Sequence, residues 1–196
     1  MEAFKIGFII IAAALSACAG TMLLPAKQPG GSASGGKAAG GTAYYYGQVS
    51  FFSPDGKLPY GNTDSAVKRE VLDGGARIIE TVTQPGAGHG MRPKEFVTEL
   101  KRRKKTLVYD ASDAGGTFTG TVTFKDAELK AWTYKIKLKA GGAIKGAGRL
   151  TPEGVKTEKQ LLGVARPMTV KEDLKTVSER DYKMYVNEMR PPGGAE

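Results

Sequence analysis

The chain has 196 residues, with 29 lysines and arginines against 20 aspartates and glutamates, a formal net charge of +9. That length suits one domain with extensions, and its single cysteine and single histidine exclude an internal disulfide and leave no cluster of soft metal ligands. The basic balance favours anionic surroundings, but no nucleic-acid-binding motif accompanies it, so nucleic acid is not an expected partner.

The first 17 residues read as a leader rather than as part of a fold. Lys5 supplies a weak positive start, with Glu2 beside it, and Phe8 to Leu15 is an apolar run. The run has the length of a signal-peptide core and is too short to span a hydrocarbon layer of ~30 Å. Small residues, Ser16 and Ala17, follow it and precede Cys18. Leu15-Ser16-Ala17-Cys18 resembles the lipobox of bacterial lipoproteins. The resemblance implies cleavage before Cys18, diacylglycerol on its thiol and an acylated new amino terminus. Two or three acyl chains would make the membrane attachment lasting, where one holds only marginally. Ala19, rather than aspartate, after the cysteine leans by analogy toward the outer membrane. The expected location is therefore a bacterial cell envelope, facing the periplasm or the cell surface. Loss of Glu2 and Lys5 with the leader leaves the net charge unchanged.

Residues 18–43 are expected to be the lipidated cysteine and a tether. Pro29 to Gly41 is almost entirely glycine, alanine and serine, with nothing large to bury. From Ala43 onward the period becomes two. Extended runs fall at 44–52, 66–72, 76–84, 95–100, 104–110, 116–125, 131–139, 143–150 and 155–163, with a tenth at 167–175. The clearest places Trp132, Tyr134, Ile136 and Leu138 on one face and Thr133, Lys135, Lys137 and Lys139 on the other. Turn chemistry separates the runs: Ser53-Pro54-Asp55-Gly56, Asp73-Gly74, Gly141-Gly142 and Thr151-Pro152-Glu153-Gly154. Lys101-Arg102-Arg103-Lys104-Lys105 is the densest basic run, read as a solvated loop or a charge-guarded strand edge.

Short sequential connections imply an up-and-down meander. Many hairpin-linked strands with one polar face favour closure, which removes exposed edges. The expected fold is mainly β: an antiparallel up-and-down barrel over 44–190 with one C-terminal helix. Ser178 caps that helix, Asp181 lies three residues on, and Tyr182, Tyr185, Val186 and Met189 form its apolar stripe. Pro191-Pro192 ends it, and 191–196 is expected to be a disordered tail.

Phe118–Phe124, Trp132-Thr133-Tyr134, the glycine-rich strand Ile144–Leu150 and Gly154–Leu162 are similar to the calycin superfamily of lipocalin-like small barrels. The Gly-x-Trp of lipocalins is missing from the first strand, which reads Tyr44-Tyr45-Tyr46-Gly47-Gln48-Val49. The resemblance implies a cup able to take an apolar molecule and names none.

Three functions are weighed. In the first, the barrel is solid and its outer surface works: Lys135, Lys137 and Lys139, with Lys145 and Arg149 on the next strand, meet an anionic envelope component or a partner protein. The alternative is a lipocalin-like pocket for a small apolar ligand, lined by Phe118, Phe124, Trp132 and Tyr134. An enzyme is not expected. The only histidine, His89, sits in Gly86-Ala87-Gly88-His89-Gly90 without an evident orienting partner, so no catalytic residue, metal ligand or cofactor is expected.

Overall fold

The computed structural model describes residues 41–86 and 91–190. Ten antiparallel strands run β1 (Gly41–Phe52), β2 (Pro59–Leu72), β3 (Arg77–Gln84), β4 (Lys94–Arg102), β5 (Val108–Asp113), β6 (Phe118–Phe124), β7 (Ala131–Leu138), β8 (Ala143–Thr151), β9 (Gly154–Leu162) and β10 (Met168–Val177). Each pairs with its neighbours in sequence, and β1 pairs with β10 from Tyr44↔Val177 to Phe52↔Thr169, so the sheet is a closed barrel. One helix, α1 (Glu179–Glu188), follows. The predicted architecture is the observed one.

Alternation decides which side chains go inside. In β7, Trp132, Tyr134 and Ile136 are buried while Thr133, Lys135 and Lys137 are exposed. β1 sends Tyr45, Val49 and Phe51 inward, and β10 sends Met168, Val170 and Leu174. Glycines on the inner wall make room for rings on the next strand. A Cβ on Gly148 would run into the indole of Trp132, and one on Gly146 into the ring of Tyr134. These two glycines are packing positions, as their place on the inward face of the sequence suggests.

The turns follow local chemistry. Ser53 closes the β1–β2 turn, with its N–H donating to the Leu58 carbonyl and its own carbonyl accepting from Gly56 N–H, both at 2.8 Å. The β2–β3 connection is longer than the two-residue hairpin expected from Asp73-Gly74. Asp73, Gly74 and Gly75 take successive left-handed conformations, with φ of 53°, 62° and 86°, in a short 3-10 turn. Three strands start three or more residues from the predicted place, β1 among them, at Gly41 rather than 44. β2 begins at Pro59 rather than 66, because its first half pairs with Val49–Phe52 of β1. The strand read as 104–110 is Val108–Asp113. Residues 103–107 instead form a turn closed by Arg103 N–H to the Val108 carbonyl and by the Thr106 hydroxyl to the Arg103 carbonyl.

The helix packs outside the barrel, on β1 and β2. The Ser178 hydroxyl accepts from Asp181 N–H at 3.1 Å and caps it, as read from the sequence. Tyr185 stacks on Tyr46 with ring centroids 3.8 Å apart, and Tyr182 meets Tyr44 at 5.1 Å.

Antiparallel order sorts the connections between two ends. At the end where β1 begins, called the near end, lie the β2–β3, β4–β5, β6–β7 and β8–β9 turns and the start of α1. The β1–β2, β5–β6, β7–β8 and β9–β10 turns lie at the far end.

The packing of Trp132 on Gly148 generates a direct test. Gly148→Val is expected to lower stability by about 2 kcal/mol through overpacking, a fall in Tm of roughly 4–8 °C. Thermal melts followed by Trp132 fluorescence would show it, and an unchanged Tm would mean that the indole does not lie on this glycine.

Candidate functional site

The outer wall can be mapped from the register. Lys135 of β7 stands directly opposite Lys145 of β8, with Thr121 of β6 on one side and Gln160 of β9 on the other. Lys137 lies between Thr119 and Ala143. Arg149 of β8 lies between Ala131 of β7 and Lys156 of β9. Lys135, Lys137, Lys139, Lys145 and Arg149 are all exposed, and among the described residues none of the five forms an ion pair. Like charges directly opposite across a strand pair are destabilising. The five basic residues predicted to share a face are therefore brought together on one uncompensated wall.

Beside this wall the outer surface dips into an open groove of about 660 Å³. Its lining includes the small residues Ala147 and Gly148, the buried Trp132 and Glu172, and the cations Arg149, Lys156 and Lys171. Two of these cations are already matched: Lys156 to Asp173 at 3.1 Å and Lys171 to Glu158 at 3.9 Å. Lys171 also lies 5.2 Å over the ring of Phe52.

The four aromatic candidates for a ligand pocket lie together inside the barrel. Phe118, Phe124, Trp132 and Tyr134 are 0–3% exposed. Phe124 sits 6.3 Å from Trp132 and meets Tyr109 edge-on at 5.1 Å. The Tyr134 hydroxyl donates to the Glu158 carbonyl at 3.3 Å. They are part of one continuous apolar core with Val122, Ile136 and Ile144.

The interior also holds charge that the sequence reading did not single out. Arg69 of β2 pairs with Glu80 of β3 at 2.6 Å, both 1% exposed. Lys159 of β9 pairs with Glu172 of β10, both fully buried, and the Thr157 hydroxyl donates to Glu172 at 2.7 Å. Burial pushes the Glu80 carboxyl up to about 7; the Arg69 guanidinium opposes that, Glu172 adds to it, and Lys159 opposes it. Burial likewise pulls the Lys159 ammonium down, against the attraction of Glu172 and Glu80. The two pairs thus feel one another, and with every group ionised the four charges of this quartet cancel. A signal for it existed. Each charge occupies the inward parity of an apolar strand: Val67-x-Arg69, Ile78-x-Glu80-x-Val82, Val155-x-Thr157-x-Lys159-x-Leu161 and Val170-x-Glu172-x-Leu174. Four buried polar atoms around this interior, Ser65 Oγ, Arg69 Nε, Gln84 Nε2 and Trp132 Nε1, have no hydrogen-bond partner among the described residues.

Cys18 and His89 lie outside the described residues. Among the described residues no three histidines, cysteines, aspartates or glutamates converge as metal ligands, and no helix is long and apolar enough to cross a membrane. Fold and site define a closed ten-stranded antiparallel barrel with a basic outer wall. No protein-family model, curated protein or solved structure matches the chain.

The quartet sets a pH dependence. Glu80 has a higher pKa folded than its ordinary value of 4.5. The folded state therefore binds more protons than the unfolded chain between about pH 4.5 and 7, and stability falls as pH rises through that window. The expected loss is on the order of 3 kcal/mol. Glu80→Gln, an isostere of the protonated carboxyl, is expected to flatten this slope and to lie nearest the wild type in stability below about pH 4.5, where Glu80 is protonated folded and unfolded alike. Urea melts at several pH values check both; a slope that survives in Glu80→Gln would assign it to another group.

Proposed function

We propose that the protein is a non-catalytic lipoprotein of a bacterial envelope, held on a membrane through lipid on Cys18, whose barrel offers a basic wall to an anionic envelope component or an acidic partner protein. The observation that carries the interaction reading is the opposition of Lys135 and Lys145 across β7–β8, with no ion pair to either among the described residues. A sheet exterior built only for solubility needs no such pairing, since a single exchange of sign would turn a repulsion into a cross-strand ion pair. The filled aromatic interior supports the same reading, because it directs recognition to the outside. The lipid anchor rests on the Leu15-Ser16-Ala17-Cys18 sequence and its place after an apolar leader.

A second reading places a small ligand inside the barrel. The unpartnered buried Arg69 Nε, Gln84 Nε2 and Trp132 Nε1 favour it, since each is a donor that an acceptor group on a guest would satisfy. Native mass spectrometry of protein taken from its own envelope tests this reading: a bound mass released on denaturation supports it, and a bare mass opposes it.

Two variants test the main reading. Cys18→Ser is expected to release the protein from the membrane fraction, and retention there would remove the lipid anchor from the proposal. Lys145→Glu is expected to gain about 0.2–1 kcal/mol of stability by pairing with Lys135 while losing association with envelope material in the Cys18→Ser background. Undiminished association would move the interface elsewhere on the barrel.

A further inference from the structure

We infer that the near end of the barrel is a membrane-facing surface, in which the turn between β4 and β5 seats Lys104 and Lys105 on anionic phospholipid headgroups. The inference rests on the lipoprotein reading for its geometry and on separate residues for its chemistry.

The geometry comes from topology. β1 leaves the near end and β4 runs into it, so Gly41 and the 103–107 turn share that end of the barrel. Only about two dozen residues separate Cys18 from Gly41. Along the chain, the far end is farther from Cys18 by the length of β1. Lipid on Cys18 therefore brings this turn closer to headgroups than the far-end turns.

The chemistry comes from which cations are already occupied. Within the run 101–105, Lys101 pairs with Glu99 at 2.9 Å, and Arg103 Nε donates to Asp110 at 2.8 Å. Arg102 Nε donates to the Thr106 carbonyl at 2.6 Å. These contacts shape the turn and leave Lys104 and Lys105 at its tip, both exposed and without an ion pair among the described residues. Lys125, on the neighbouring β6–β7 turn, is exposed and unpaired in the same way. Asp73 and Glu153 occupy the β2–β3 and β8–β9 turns, and Asp126 and Glu128 offset Lys125 and Lys130 on the β6–β7 turn, so the β4–β5 turn is the net cationic point among these turns.

The near-end turns share a backbone feature. Three non-glycine residues have left-handed backbone among the described residues: Asp73, Lys104 and Leu129, with φ of 53°, 51° and 57°. All three lie in near-end turns. A lysine in that conformation is strained by roughly 1 kcal/mol, where glycine or asparagine would be at ease. An acidic and an apolar residue share this conformation with Lys104, so it fixes the shape of the turn tip that carries Lys104 and Lys105. The far end differs in kind. Leu58 and Tyr60 after the β1–β2 turn, Met91 before β4 and Leu162 at the end of β9 are exposed apolar residues, and Arg166 lies 4.8 Å over the Tyr60 ring.

The experiment uses the full-length protein, purified from membranes in detergent and reconstituted into vesicles rich in phosphatidylglycerol or made of phosphatidylcholine alone. Lysines are acylated briefly, and each site is quantified by mass spectrometry. Lys104 and Lys105 are expected to react roughly fivefold more slowly on the anionic vesicles, with Lys139 and Lys145 unchanged. High salt is expected to remove the difference. A Lys104→Glu/Lys105→Glu variant, read at Lys125, is expected to lose it as well. Equal labelling of Lys104 and Lys105 in both vesicles overturns the inference. So does protection of the lysine wall or of Lys57, beside the far-end apolar rim, in place of the turn. The same spectra report the mass on Cys18. An unlipidated Cys18 sinks the anchor reading, and adding that protein to preformed vesicles then decides the turn's affinity by itself.

Discussion

Closure between β1 and β10 is the interaction on which the remainder of the molecule depends. It gives every strand two hydrogen-bonded neighbours and leaves no edge to guard. It also requires the first and last strands to approach closely, and Gly47 sits where that approach is tightest. A side chain there would strike the carbonyl of Asp173 and the Cα of Leu174, which lies 2.9 Å from the position of its Cβ. Once the seam is shut, inward and outward faces are fixed on all ten strands together. The lysine wall and the filled interior are therefore two faces of one decision.

A closed sheet of this size must be filled, and the filling is not wholly apolar. Phenylalanine, tyrosine and tryptophan rings occupy one region, with glycines on the adjacent strand making room. Elsewhere the Arg69–Glu80 and Lys159–Glu172 pairs take the space that leucines would fill in a simpler core. Such pairs add little net stability, because removing two charges from water costs about as much as their attraction returns. What they contribute is selectivity among arrangements. A slip of β2 against β3, or of β9 against β10, would strand a buried charge without its partner, so the quartet pins the register that closure demands.

Much of this was legible in the sequence. Period-two alternation located β6 to β9 closely, since those strands face a dry interior on one side and water on the other. The capped helix with Tyr182 and Tyr185 was readable for the same reason, because it too has one apolar face. The misplaced strand ends have physical causes. The first half of β2, Tyr60 to Asp64, pairs with β1 but not with β3, and is largely open to solvent on both faces, so it carries no alternation to read. Residues 104–107 look extended by composition, yet hydrogen bonds from Arg102, Arg103 and Thr106 fold them into a turn. The five residues of the lysine wall were legible as a set because adjacent hairpin strands project them alike. The quartet was not, because each of its members looks like an ordinary surface charge until its strand parity is weighed, and because the partners within each pair lie 11 and 13 residues apart.

The long pairing of β1 has a mechanical consequence. A pull on the chain ahead of residue 41 is delivered to the start of a strand hydrogen-bonded along most of its length to both β2 and β10. The load runs parallel to the strand and across its hydrogen bonds, so many must yield together instead of opening one after another like a zipper. The Tyr46–Tyr185 and Tyr44–Tyr182 contacts clamp the same strand from outside. A barrel loaded through this strand resists being drawn out of shape by tension on its amino-terminal side.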